Sequence, residues 1–241
     1  MSKPLPVPPA ALQAAVPSAL LPTLLPALLA LLALPAAHAG AQGARAQPTS
    51  AATPAADPPT RLRFVVAPTG NEARYRVREQ LVGRDLPNDV IGVTSDVSGR
   101  LVVESDGRVL RDSSKIVVQV ATLKSDQTRR DNYLRRRTLE SEKYPTVELV
   151  PSTFAGITSP IPPGASRAFA LTGNLTIHGV TRPTTWQVTA RAEGRDVVGT
   201  AKTAFTFADF QLEQPKVPIV LSVADTVRLE YDFRFTPAPS R

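Results

Sequence analysis

From residue 61 onward, apolar and polar positions alternate along the chain with a period of two, the signature of half-buried strands. In residues 73–79, Arg74, Arg76 and Arg78 point one way and Tyr75 and Val77 the other. The same pattern predicts strands over Lys115–Thr122, Thr146–Phe154, Ala168–His178, Thr184–Ala192, Val197–Phe207 and Thr226–Phe235. Turn signals fall between them at Asp106-Gly107, Pro162-Pro163-Gly164, Gly179 and Glu193-Gly194. Many strands at this spacing, with little helix, indicate an all-β barrel or sandwich. One helix is predicted over Asp126–Glu142, a stretch free of Pro and Gly that begins at Ser125 or Asp126, either able to cap it. Its apolar face is thin (Tyr133, Leu134, Leu139), which suits a helix lying across a barrel end rather than inside a core.

The first sixty residues follow another pattern. Residues 19–37 are uncharged and apolar and end in Ala37-His38-Ala39, a small-x-small cleavage pattern, so residues 1–39 are expected to be a signal peptide cut after Ala39. The run also approaches the ~20 residues that span a bilayer, which leaves an uncleaved anchor as the alternative. Pro22, Pro26 and Pro35 weaken that alternative. Residues 40–60 carry almost no large apolar side chain and are expected to form a disordered linker. The folding unit is then 61–236, one barrel or sandwich in size, with a short tail at 237–241. The expected location is periplasmic or extracellular.

Composition narrows the chemistry. There is no cysteine, which excludes disulfides, thiolate metal sites and cysteine nucleophiles. Only His38 and His178 occur, so the folding unit has a single histidine. His178 sits at a strand-to-turn boundary with no Gly-x-Ser-x-Gly motif anywhere in the chain, and reads as a turn residue rather than a catalytic base. Asp209, between Phe207 and Phe210, is either a buried hydrogen-bond acceptor or a bend residue. No carboxylate spacing resembles a calcium loop. Net charge is +7, and Arg129, Arg130, Arg135, Arg136 and Arg137 form the densest basic run. That run is either a solvated helix face balanced by Asp131, Glu140 and Glu142, or a surface for phosphate groups of a lipid or membrane. Arg130-Asp131 could also form a fixed pair that pins the helix to the barrel rim. Aromatics total only 5% and no RNA-binding strand signature is present, so nucleic acid is not an expected partner.

The inward positions of the predicted strands include Tyr75, Val77, Leu171, Leu175, Ile177, Trp186, Val188, Phe205, Phe207, Leu229, Tyr231 and Phe233. Periodicity alone fits a filled core and a hollow barrel equally well.

Several spaced motifs resemble the YceI family. Residues 173–183, GNLTIHGVTRP, resemble its G-x-L-T-I-x-G-V-T-x-P strand–turn–strand. Arg130-Asp131 followed by Leu134 is similar to its R-D-x-x-L helix motif, residues 144–149 to its Y/F-P-x-I-x-F strand, and Asp209-Phe210 to its D-F bend. Residues 223–227 resemble its closing strand entry, so the likeness spans roughly residues 72–236. The resemblance implies a single extended eight-stranded antiparallel, lipocalin-like barrel with one short helix near its end. It also implies a non-catalytic protein that holds an isoprenoid quinone, polyprenyl phosphate or similar long-chain lipid in its pore. The expected ligand-binding set is Tyr75, Val77, Leu134, Leu171, Leu175, Ile177, Trp186, Val188, Phe205, Phe207, Phe210, Tyr231 and Phe233, with no cofactor or metal. A membrane-tethered interaction or stress module, or an enzyme on a small amphiphile, stands as the alternative. There is room for a transient membrane-surface contact and for a homodimer. Two departures stand out: Asn71-Glu72-Ala73 replaces the family's His-Ser, and Gln211 replaces the glycine after D-F.

Overall fold

The central hairpin shows how the alternation becomes architecture. Strand β7 (Ser166–Ile177) pairs antiparallel with β8 (Val180–Glu193), in a register that sets Leu171 opposite Trp186 and Ile177 opposite Val180. Only His178 and Gly179 lie between them, both with positive φ (52° and 76°), the backbone of a type I′ turn. Along β8, Trp186, Val188 and Ala190 are buried while Thr185, Gln187 and Thr189 are exposed, so one face is committed to the interior.

A computed structural model of the chain describes residues 60–83, 85–157, 161–217 and 220–239. The expected signal peptide or anchor, the linker apart from Thr60, and the last two residues of the tail lie outside the described residues. The other strand segments are β1 (Arg61–Val66), β2 (Glu72–Leu81), β3 (Asn88–Thr94), β4 (Val97–Glu104), β5 (Lys115–Gln119), β6 (Thr146–Ala155), β9 (Asp196–Thr206) and β10 (Val220–Pro237). All ten belong to one antiparallel sheet, ordered β1-β4-β5-β6-β7-β8-β9-β10-β2-β3, with β1 also paired to β10. Both β1 and β2 run along β10, where Val66 faces Phe235 and Glu72 faces Asp232. They are two halves of one interrupted strand, and β3 and β4, which pair with β2 and β1, are halves of another. Counted this way, eight strands close into a barrel and leave no long free edge.

The interruptions have local causes. Between β1 and β2 the buried Asn71 side chain donates to Ala67 O (2.7 Å) and accepts from Tyr231 Oη (2.8 Å) and the Arg234 amide (3.0 Å). It thereby satisfies backbone groups that the ladder abandons at the kink. In β3, Gly92 lies under the Tyr75 ring, and a Cβ there would fall 2.2 Å from Tyr75 Cε1. Gly92 and Gly99 also hide their strands from a propensity reading, which named no strand at 88–94 or 97–104.

The helix between β5 and β6 is shorter than predicted. An α-helical turn and a half, α1 (Thr128–Tyr133), runs into a π-helical turn at Leu134–Thr138. Glu140, at φ 45°, then turns the chain away. Ser125 and Asp126 do not cap it; the N-cap residue is Gln127, without a side-chain cap. Instead the buried Asp131 carboxylate accepts from the Ser125 amide (2.9 Å) and hydroxyl (2.7 Å), which fastens the helix start to the preceding loop.

Candidate functional site

The barrel is hollow. A continuous cavity of about 2320 Å³ runs along its interior and is bordered by residues of every strand, of α1 and of the π-helical turn. Drug-sized ligand sites typically measure ~300–1,000 Å³, so this space suits a much longer molecule.

Twelve of the thirteen expected residues border this cavity: Tyr75, Val77, Leu134, Leu171, Leu175, Ile177, Trp186, Val188, Phe205, Phe207, Tyr231 and Phe233. Leu229, also expected to face inward, joins them. Phe210 does not. It has no exposed surface and packs edge-on against Phe205 at 4.8 Å between ring centroids, one layer behind the wall. The bend carries it there, since the short 3₁₀ turn Phe207–Phe210 folds back over the barrel end. Wall residues that strand pattern did not single out include Phe64, Leu101, Ile116, Leu149, Phe154 and Phe169. Phe154 and Phe169 meet edge-to-face at 5.5 Å across β6 and β7. Their strands were partly visible in the sequence; only closure of the ring shows that they face the same hollow.

Polar groups gather where the helix crosses the barrel. Glu79, next inward after Tyr75 and Val77 on β2, is buried, and its carboxylate accepts from Arg130 of α1 at 3.0 Å. Arg130 also binds Asp126. The helix is thus pinned to the rim by Arg130 and Glu79, not by an Arg130–Asp131 pair. Tyr75 shares this region; burial pushes its phenol up to about 12, against the pull of Arg130. Burial likewise raises the Tyr231 phenol well above its ordinary value. Thr138 is buried at the end of the π-helical turn, borders the cavity, and its hydroxyl has no hydrogen-bond partner among the described residues. A buried hydroxyl without a partner is costly in an empty site, and π-turns of this kind occur frequently at functional positions.

His178 and Asp209 both have local structural partners, and Asp209 is exposed rather than buried. His178 Nε2 lies 2.6 Å from Glu140 Oε2, and its ring packs on Tyr144 with centroids 4.3 Å apart, so it ties the β7–β8 turn to the end of the helical segment. Asp209 accepts from the Thr206 amide (2.7 Å) and hydroxyl (2.8 Å) in a capping box. Those hydrogen bonds, the backbone one first, hold its carboxyl below the usual range. Gln211 follows in the left-handed region (φ 54°, ψ 34°), a conformation that explains why the family motif favours glycine there. Among the described residues no three His, Asp or Glu side chains come together as a metal site.

The YceI-like domain model matches residues 64–235 of this chain. The chain belongs to the YceI-like family. A UPF0312 protein of Pseudomonas putida strain W619 is 31% identical over 124 residues, which cover 46% of this chain and 61% of the relative. A second, from P. putida strain F1, is 30% identical over 113 residues, or 43% and 55%. The matched segments therefore span less than two thirds of these relatives. Among solved structures, a polyisoprenoid binding domain from Saccharophagus degradans superposes with a TM-score of 0.57 over 73% of this chain and 99% of its own, at 12% identity. Burkholderia cenocepacia BcnA gives 0.52 over 70% of this chain and 98% of its own, at 16% identity. At such identities the likeness is one of fold, and the fold is the eight-stranded barrel.

Proposed function

We propose that this protein is a non-catalytic carrier that holds a long-chain amphiphile, an isoprenoid quinone, polyprenyl phosphate or similar lipid, inside its barrel. The observation that carries the reading is the largely apolar-walled cavity of about 2320 Å³ along the barrel interior. Each methylene moved from water into such a wall gains about 0.8 kcal/mol, so one isoprene unit contributes a few kcal/mol. Losses of translational and chain freedom offset part of that sum, and several units still leave useful affinity. Affinity of this origin needs shape and few polar contacts, which fits a wall of Leu, Val, Phe and Trp. The Saccharophagus neighbour is described as a polyisoprenoid binding domain, and that description supports the same ligand class here.

The test is organic extraction of protein purified under mild conditions from a quinone-producing host, followed by mass spectrometry. A stoichiometric prenyl lipid is the expected result; a barrel that comes out empty, and takes up no prenyl lipid when offered one, overturns the proposal. The proposal extends to export: residues 1–39 direct the chain out of the cytoplasm and are removed. Mass spectrometry of the isolated protein should find an N-terminus at Gly40, whereas an intact N-terminus would leave a membrane-anchored carrier.

A further inference from the structure

The outer surface is almost free of large apolar side chains, and its exceptions are not scattered. Among the described residues three large hydrophobics are well exposed: Val82 (56%), Leu86 (78%) and Leu221 (65%). Val82 and Leu86 belong to the β2–β3 connection, and Leu221 stands at the start of β10, whose Val220 pairs with Leu81. All three therefore sit at one end of the barrel, the end crossed by the helix. Singly exposed apolar residues need no explanation, whereas a cluster beside an opening does. Leu86 borders the cavity as well as solvent, so the cavity reaches the surface here.

The helical segment beside this tip is mainly basic, while the tip itself carries Asp85 and Asp89, the latter paired with Arg76. Residues 124–137 hold six basic and two acidic side chains. Both acids are engaged locally, Asp126 with Arg130 and Asp131 with Ser125. Lys124, Arg129, Arg136 and Arg137 are exposed and have no ion pair among the described residues. Arg129 borders the same cavity as Leu86. A helix face that only needed solubility would have its charges balanced or dispersed. Here exposed cations without an ion pair stand on the helical segment at the same barrel end as the exposed aliphatic side chains, where the lipid-sized hollow reaches the surface.

We infer that this end of the barrel is a docking face for an anionic bilayer surface, with Val82, Leu86 and Leu221 entering the acyl boundary and the helix cations meeting lipid phosphates. The two features act together: aliphatic insertion alone is indifferent to lipid charge, and cations alone hold a protein above the headgroups. Docked in this orientation, the mouth opens toward the acyl layer, and a long-chain ligand can pass between bilayer and barrel without crossing water. The inference rests on the carrier reading and specifies where its cargo enters and leaves.

The chain has no cysteine, so one introduced thiol reports a single position. A polarity-sensitive fluorophore is attached to Leu86→Cys in the full chain. A control probe goes on Gln187→Cys, an exposed position on the outer wall of β8. Each is mixed with vesicles of phosphatidylcholine alone or of phosphatidylcholine with phosphatidylglycerol. The expected result is a blue shift of the Leu86→Cys probe on the anionic vesicles only, reduced by salt, with the control unmoved. An N-terminal membrane anchor would bring both probes near the vesicle without burying either, so it does not mimic this pattern. Replacing Arg129, Arg136 and Arg137 with Gln should weaken the vesicle affinity, read by titrating that shift, by about fivefold for each arginine removed. No shift at Leu86→Cys, or an equal shift on both vesicle types, overturns the docking face. Extraction of the same preparations separates the two claims: bound lipid without vesicle docking removes this inference and leaves the carrier intact.

Discussion

If the barrel is hollow, truncating a ring on its wall should cost less than truncating one packed behind the wall. Phe210 and Phe233 make the pair for this test. Phe210 has no exposed surface and packs on Phe205. Phe210→Ala opens a new cavity in close-packed surroundings and should cost ~3–5 kcal/mol. Phe233 is also buried, but it borders the existing hollow, and its ring meets those of Tyr231 and Phe235 and lies against Gly199. Phe233→Ala enlarges a space already present, so mainly the transfer term is lost, about 1.5–3 kcal/mol. Urea unfolding of lipid-free protein reads both values, with fluorescence of the single, buried Trp186 as reporter and circular dichroism as check. Loading with lipid sharpens the contrast. A ligand touching Phe233 makes its truncation more costly in loaded than in lipid-free protein, while the cost at Phe210 stays the same. Equal costs of ~3–5 kcal/mol at both sites in lipid-free protein would falsify the hollow barrel.

Three further outcomes follow from local geometry. Thr138→Val removes a buried hydroxyl that lacks a partner, and should stabilise the lipid-free barrel by about 1 kcal/mol in the same urea assay; a loss of stability would mean the hydroxyl has a partner in solution. Gln211→Gly relieves a left-handed backbone that costs an L residue ~1–2 kcal/mol, less the ~0.5–1 kcal/mol that glycine loses to chain entropy. Thermal unfolding should therefore shift upward by roughly 1–4 °C, and no shift would place the strain elsewhere. The Tyr75 phenol is pushed up to about 12 by burial, so the fold favours its neutral form. Its contribution is complete below the ordinary tyrosine value near 10 and is lost as pH rises from there through about 12. Across that window the urea midpoint of wild type should fall relative to that of Tyr75→Phe, and parallel curves would exclude Tyr75 as the cause.

Much of this barrel could be read from the chain because its long strands obey one rule along their whole length. In β8, Trp186, Val188 and Ala190 alternate with Thr185, Gln187 and Thr189, and the family-like hairpin turn fixes the register. What stayed hidden depends on contacts between distant residues. Glu79 looks like one more surface carboxylate until Arg130 arrives from fifty-one positions away. Thr138 carries no signal at all, because its burial arises from a π-helical turn that sequence rules do not foresee. The strands at 88–94 and 97–104 were obscured by Gly92 and Gly99, whose lack of a side chain is what admits Tyr75 and the β5 backbone. The same logic bears on the ligand. Alternation decides which side chains turn inward, and twelve of the thirteen expected residues do border the cavity. Whether inward side chains meet one another or enclose a space depends on how many strands close the ring and at what stagger. That quantity is encoded in no single strand. In this protein it is fixed by two interrupted strands, held at their breaks by Asn71 on one side and by the Thr94–Asp96 turn on the other. The hollow on which the proposed function depends is therefore maintained by residues that do not line it.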